Sequence, residues 1–376
     1  MPIPGDPYDL CLRELHAHAA RWVPPDTAWF DCHTHTGWHD PDGYSATAEE
    51  ITAGLDRAGH GRALVFSLQE PDGYPAANDR VVAEAAASGG RLQPVCRVDP
   101  HAGALAEAHR GVAAGAVGLK LHPRAERFSL HDAGVEEVIA FAGEHRLPVI
   151  IHAGRGIPAL GRDAVDLARR HPGARLILAH AGISDLAWIW RAARDLPNLF
   201  FDTAWWNVPD LTALLALVAP AQILYASDMP YGSAILSSLI LLRVGRAVGL
   251  SADALASIAG GQLERLLHGE EPADVGPAPG PPPAPRPLGA DRALDHLDAA
   301  VSRAFVLADP TEPLALARLA CDVPDGDEDR ALLACVARLV TIAQQANADR
   351  SGLAGVVIPA LGAATVAGTP GAGVPE

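Results

Sequence analysis

Two histidines one residue apart, His33-Thr34-His35, close the apolar stretch AWFDCHTH. Residues i and i+2 of a strand face the same side, so both imidazoles can reach one metal ion. The pattern alone is weak, because 16 His produce roughly 0.7 such pairs by chance. A second pair exists, His16-Ala17-His18 in YDLCLRELHAHAARW. That stretch has helical periodicity, where residues two apart diverge and cannot share an ion. The helical pair is therefore expected to pack, and the strand pair to ligate.

More titratable residues end apolar stretches. They are Lys120 and His122 in AVGLKLHP, His152 in PVIIHAG, His180 in RLILAHAG, Asp202 in LFFDTAW and Asp228 in ILYASDMP. A single histidine ending a buried strand is commonly a hydrogen-bonded core residue. His152 and His180 end consecutive apolar stretches, and both precede Ala-Gly, whose small side chains leave room above a ring. A capping carboxylate is the plain reading of Asp228; the chemical one is a metal ligand that accepts a proton from water. Lys120 is the only Lys beside 28 Arg. Compositional bias explains Arg replacing Lys elsewhere and leaves this Lys to be explained, since the two cations differ in chemistry.

These residues need a scaffold that gathers strand ends. Eight strand candidates, 28–35, 62–68, 92–100, 116–123, 148–154, 175–182, 199–205 and 223–230, alternate with helical stretches such as AVDLARRHPG. This predicts a (β/α)8 TIM barrel, whose chemistry sits at the C-terminal ends of the strands. A doubly wound sheet is the competitor, weakened because no GxGxxG or P-loop follows any strand. Residues 1–27 read as a helical extension, 28–271 as the barrel and 272–290 as a Pro/Gly-rich linker. Residues 291–350 read as a helical segment and 351–376, rich in Gly, Ala, Pro and Val, as a poorly ordered tail.

The chain has 376 residues and a formal charge of −16, which argues against nucleic acid or an anionic membrane as partner. Five widely spaced Cys without a CxxC fit a reducing compartment. No signal-peptide pattern and no apolar run long enough to span a bilayer is visible. The expectation is a cytoplasmic protein acting on a small molecule, with homo-oligomerisation left open.

The stretch Asp31-Cys32-His33-Thr34-His35, with His152 in IIHAG, His180 in ILAHAG and Asp228 in YASDMP, resembles the amidohydrolase superfamily. GLKLHP, the AHAG context and the SDxP ending are most similar to the amidohydrolase-related branch that includes aminocarboxymuconate-semialdehyde decarboxylase-like enzymes. The resemblance covers about residues 28–269. One departure is Gln262 in GGQLERLL, where that family usually has Asn; it concerns loop support.

The resemblance implies a divalent metal site, zinc first, with one or two ions held by His33, His35, His152, His180 and Asp228. A metal-bound water would attack a carbonyl, with Asp228 moving the proton and His180 ligating a second ion or donating to the reacting oxygen. Three roles stay open for Lys120: a carbamate bridging two ions, a cation for a substrate carboxylate, or a structural ion pair. His122, Arg124, Arg155, Trp205 and Tyr231 are candidate substrate contacts, with Trp206 beside Trp205; solvated or packed side chains are the plain alternative. Hydrolysis of an amide, ester or lactone is the first expectation. Non-oxidative decarboxylation of an aromatic or unsaturated acid is the second, and a barrel kept as a binding scaffold the third.

Overall fold

The computed structural model describes residues 7–154, 159–282 and 285–375. Eight parallel strands pair in chain order: β1 Phe30–Thr36, β2 Arg62–Ser67, β3 Leu92–Arg97, β4 Gly118–Leu121, β5 Pro148–Ile151, β6 Arg175–Leu178, β7 Leu199–Asp202 and β8 Ile223–Leu224. The ring closes where Cys32 N donates to Tyr225 O (2.9 Å), Asp228 N to His33 O (2.9 Å) and His35 N to Met229 O (2.8 Å). This is the expected (β/α)8 barrel.

The strands are short and buried on both faces, because helices cover the outside and side chains fill the inside. Phe30, Cys32, Leu64, Phe66, Val95, Ile150, Ile177, Phe200 and Leu224 form the interior core, and Leu263 and Leu266 join it. Alternate strand residues pack outward against the helices. Parity then turns Arg97, Lys120 and Asp202 inward, one layer above Val95, Gly118 and Phe200.

β1 breaks this parity. Phe30 and Cys32 face the interior, yet so do His33 and His35. The register explains it: Asp31 pairs with Ala63 and Thr34 with Val65, so β1 carries one extra residue. Such a bulge re-aims the side chains that follow it.

Gln262 occupies the departure noted above. It is buried and pairs with the Ala273 backbone through both amide atoms (2.8 and 3.0 Å), pinning the start of the Pro-rich stretch to the barrel. The next helix starts at Leu288, slightly inside the stretch read as linker.

The tail expectation is corrected. Gly352–Gly368 is a helix, buried along most of its length. Its sequence, GLAGVVIPALGAATVAG, has no polar face, and a helix apolar on all sides is stable only when covered on all sides. Gly and Ala there permit close packing. The barrel helices Val208–Leu217 and Ala234–Val248 and the helices Leu288–Phe305 and Arg330–Ala348 provide the cover, and Tyr8 of the N-terminal helix Pro7–Ala20 approaches Gly362. The buried Arg243 caps its end, donating to Thr369 Oγ1 (2.9 Å), Thr369 O (3.1 Å) and Gly373 O (2.7 Å). A cation there also complements the helix dipole. Among the described residues, Arg330–Ala348 alone is long and apolar enough to cross a membrane; one face packs in the protein, and Arg338 on it pairs with Glu14 (2.8 Å).

Candidate active site

The bulge in β1 and the closure onto β8 bring three donors together. One atom each from His33, His35 and Asp228 lie within 4.8 Å of one another. Asp228 Oδ1 is 3.1 Å from His35 Nε2 and 3.3 Å from His33 Nε2. Asp228 sits in the left-handed region (φ 60°), a conformation that costs a non-glycine residue about 1–3 kcal/mol and gathers at functional sites. Its side chain is 19% exposed, whereas His33 and His35 are buried.

His33 is held from behind. Asp202 Oδ2 lies 2.7 Å from His33 Nδ1, and Asp202 Oδ1 accepts from His180 N (2.8 Å) and Ala204 N (3.0 Å). Burial pushes the Asp202 carboxyl up, opposed by His180 and those backbone N–H groups. With two fixed donors on one oxygen, we assign the carboxylate form and the proton to His33 Nδ1. That leaves the Nε2 lone pair facing Asp228, the usual way a carboxylate orients a ligating imidazole.

A second chain of bonds fixes His152 and His180. His180 Nδ1 is 2.6 Å from Ala204 O and must donate, since a carbonyl only accepts. Its Nε2 then accepts from His152 Nδ1 at 3.0 Å. The buried His152 Nε2 lone pair has no partner among the described residues. Gly154 makes this approach feasible: a Cβ there would meet His180 Cδ2 at 2.6 Å. His180 Nδ1 lies 3.9 Å from Asp228 Oδ2. His152 and His180 thus stand beside the trio.

Lys120 is fully buried, and its Nζ has no hydrogen-bond partner among the described residues. It lies 4.7 Å from the centre of the Phe66 ring. Burial pushes the ammonium down to about 8; Asp202 opposes this and Arg97 adds to it. Burial, then the Lys120 charge, also holds His33 well below the ordinary imidazole range. Asp228 is pushed well up by burial, against the pull of Lys120.

The described candidate substrate contacts lie near the histidines. His122 stacks on His152 with centroids 3.9 Å apart, and its Nδ1 accepts from Ala125 N. Arg124 is exposed on the turn Pro123–Glu126, close enough to bias His152 against a proton. Arg155 lies outside the described residues. The Trp205 ring is 6.2 Å from His180, and Tyr231 is 5.3 Å from His35 with its hydroxyl bonded to Asp40.

Three contributors were not given roles from sequence. Asp202 shares the strand-end position of the histidines, so that signal was present. Asp31 Oδ1 accepts from His33 N and Ser227 N, bracing the β1–β8 seam. Arg97 is buried next to Lys120 in register and pairs with Glu126 (2.7 Å); nothing in the sequence distinguished it from other Arg.

The donor set is imidazole plus carboxylate with oriented lone pairs, which suits zinc or another divalent first-row ion. The sequence model of the amidohydrolase family matches residues 30–269. No curated protein is matched. Among solved structures, 5-carboxyvanillate decarboxylase from Sphingomonas paucimobilis is similar, with 18% identity, a TM-score of 0.53, and coverage of 65% of this chain and 99% of that one. An amidohydrolase from Burkholderia multivorans with bound zinc has 16% identity, a TM-score of 0.53 and coverage of 64% and 99%. The 4-oxalomesaconate hydratase from Rhodopseudomonas palustris has 15% identity, a TM-score of 0.51 and coverage of 64% and 96%. At these identities the likeness speaks for the fold.

Proposed function

The chain belongs to the amidohydrolase family, and from that premise we propose that it is a metal-dependent hydrolase of an amide, ester or lactone bond in a small molecule. The observation that carries the reading is Asp228: its carboxylate touches both imidazoles of the β1 pair and is the member of the trio that opens to the mouth. A carboxylate so placed can hold an ion and take a proton from water on its exposed side.

His33, His35 and Asp228 would hold the ion, zinc first, with His152 Nε2 as a further donor and a second ion left open. Bound there, the ion supplies a lowered pKa for water and polarises a carbonyl oxygen. Asp228 takes the water's proton and returns it to the leaving group. Asp202 holds the His33 tautomer, and Ala204 O holds His180 so that its ring faces the reacting centre. Lys120 serves behind the site in one of two forms: a neutral amine that takes up CO2, releases a proton and becomes an anionic carbamate, or an ammonium that pairs with a substrate anion. His122, Arg124, Arg155, Trp205 and Tyr231 orient the substrate. The free cysteines suit a reducing cytoplasm.

Decarboxylation is the second reading, favoured by one observation. Lys120 is a buried cation whose Nζ meets no hydrogen-bond acceptor among the described residues, a group that suits a carboxylate substrate. Metal analysis and a substrate panel separate the two. Amides, esters and lactones are tested beside hydroxybenzoates, with CO2 release recorded, for wild type, Asp228→Asn and Lys120→Ala. Metal-dependent hydrolysis lost in Asp228→Asn is expected. Metal-dependent CO2 release without hydrolysis would overturn the first choice.

A further inference from the structure

The loop after β7 has two neighbours of different origin. On one side it meets the site. Ala204 O accepts from His180 Nδ1, and the Trp205 ring lies 6.2 Å from that imidazole. On the other side it meets the C-terminal helices, which lie beyond the family match. Trp206 stacks on Trp205 at 5.1 Å and faces Phe305 at 5.1 Å. Phe305 is the last residue of the helix Leu288–Phe305.

The polar groups repeat the pattern. Trp205 Nε1 donates to Asp210 Oδ2 (2.7 Å), and Asn207 caps the helix Val208–Leu217 by accepting from Asp210 N (3.0 Å). Asn207 also lies beside Asp298, on the same C-terminal helix as Phe305, and lowers the carboxyl that burial pushes up to about 6. A few residues of chain, 204–207, therefore join His180 to Phe305 and Asp298.

We propose that Phe305 and Asp298 are positioning residues of the active site: the C-terminal helices brace the β7 loop, and through it set the His180 ring and the Trp205 wall of the mouth. Loops at this end of a barrel decide specificity but carry few contacts of their own to hold them. A ring stacked behind Trp206 restricts the rotation of Trp205 without touching substrate, so the appended helices act on which substrates fit. This inference rests on the proposed catalytic function only for its kinetic readout.

The test uses the full-length protein and four variants, Phe305→Ala, Phe305→Tyr, Asp298→Ala and Leu339→Ala. Phe305 and Asp298 are partly exposed, so their truncation spares the core. Leu339 is buried between the C-terminal helices and controls for general loosening. The first readout is solvent exchange of the His180 Nδ1 proton by histidine-labelled NMR. Phe305→Ala and Asp298→Ala are expected to speed it by about tenfold, as local opening of the loop does. Phe305→Tyr should restore the wild-type rate and Leu339→Ala should leave it unchanged. The second readout is kinetic: KM rises in Phe305→Ala more than kcat falls. Wild-type exchange in Phe305→Ala, or equal acceleration in Leu339→Ala, overturns the proposal. If no substrate of the panel turns over, the hydrolase reading fails while the exchange result still decides this one.

Discussion

Asp202→Asn changes one atom type and tests the logic of the metal site. Asp202 Oδ1 accepts two backbone N–H groups, from His180 and Ala204, so an asparagine must place its carbonyl oxygen there. Its NH2 then faces His33 Nδ1 across the distance now occupied by a 2.7 Å bond. Two donors oppose each other. His33 escapes by moving its proton to Nε2, which removes the lone pair pointing at Asp228. Loss of an orienting partner of a ligating imidazole costs about 10–100-fold in metal affinity. That corresponds to ~1.4–2.8 kcal/mol. The assay is zinc competition against a chromogenic chelator near neutral pH, with elemental analysis of the protein as purified. Backbone donors to position 202 survive the substitution, so the fold should persist and circular dichroism should match wild type. An asparagine variant that binds zinc as tightly as wild type would refute the tautomer assignment, and with it the view that Asp202 serves His33.

Two other outcomes follow from buried groups away from hydrogen-bonding partners. Lys120→Met removes an unpartnered buried ammonium; it should abolish activity while raising stability by about 1–3 kcal/mol in urea unfolding, and a loss of stability would contradict the unpaired state of Nζ. His16, in the N-terminal helix, is pushed by burial down to about 4. An imidazole with a lowered folded pKa leaves stability intact above the unfolded value of 6.5 and erodes it as pH falls toward 4. The expected loss at pH 5 is about 2 kcal/mol. His16→Leu should remove about 2 kcal/mol of the loss at pH 5, and equal pH sensitivity in variant and wild type would show that His16 does not contribute it.

Much of this site was legible in residue order, because a barrel converts position along a strand into position in space. A polar residue closing each apolar stretch sufficed to bring His33, His35, His152, His180 and Asp228 to one end. What could not be read were the contacts that depend on distances between strands. His33 and His35 face inward only because a bulge corrects the parity set by Phe30 and Cys32, and a bulge leaves no composition mark. Asp202 was visible as a strand end, but its bond to His33 spans 169 residues. The order of the tail is not legible in its composition, because Gly and Ala are common both in loose chain and in tightly buried helices. Pairing across the fold decides between these, and local composition does not.

The closing of the ring between β1 and β8 has a thermodynamic side. Asp228 and His35 are 193 residues apart in the chain and meet at the seam, beside the backbone bonds that complete the barrel. An ion shared by His33, His35 and Asp228 would be a clasp across that seam. Binding it would remove the entropy of the largest loop in the barrel from the opened state, and any ligand that favours the closed ring stabilises it in proportion to its excess over Kd. Metal supply and barrel integrity would then be one equilibrium, so chelation should open the seam before it unfolds the helices around it.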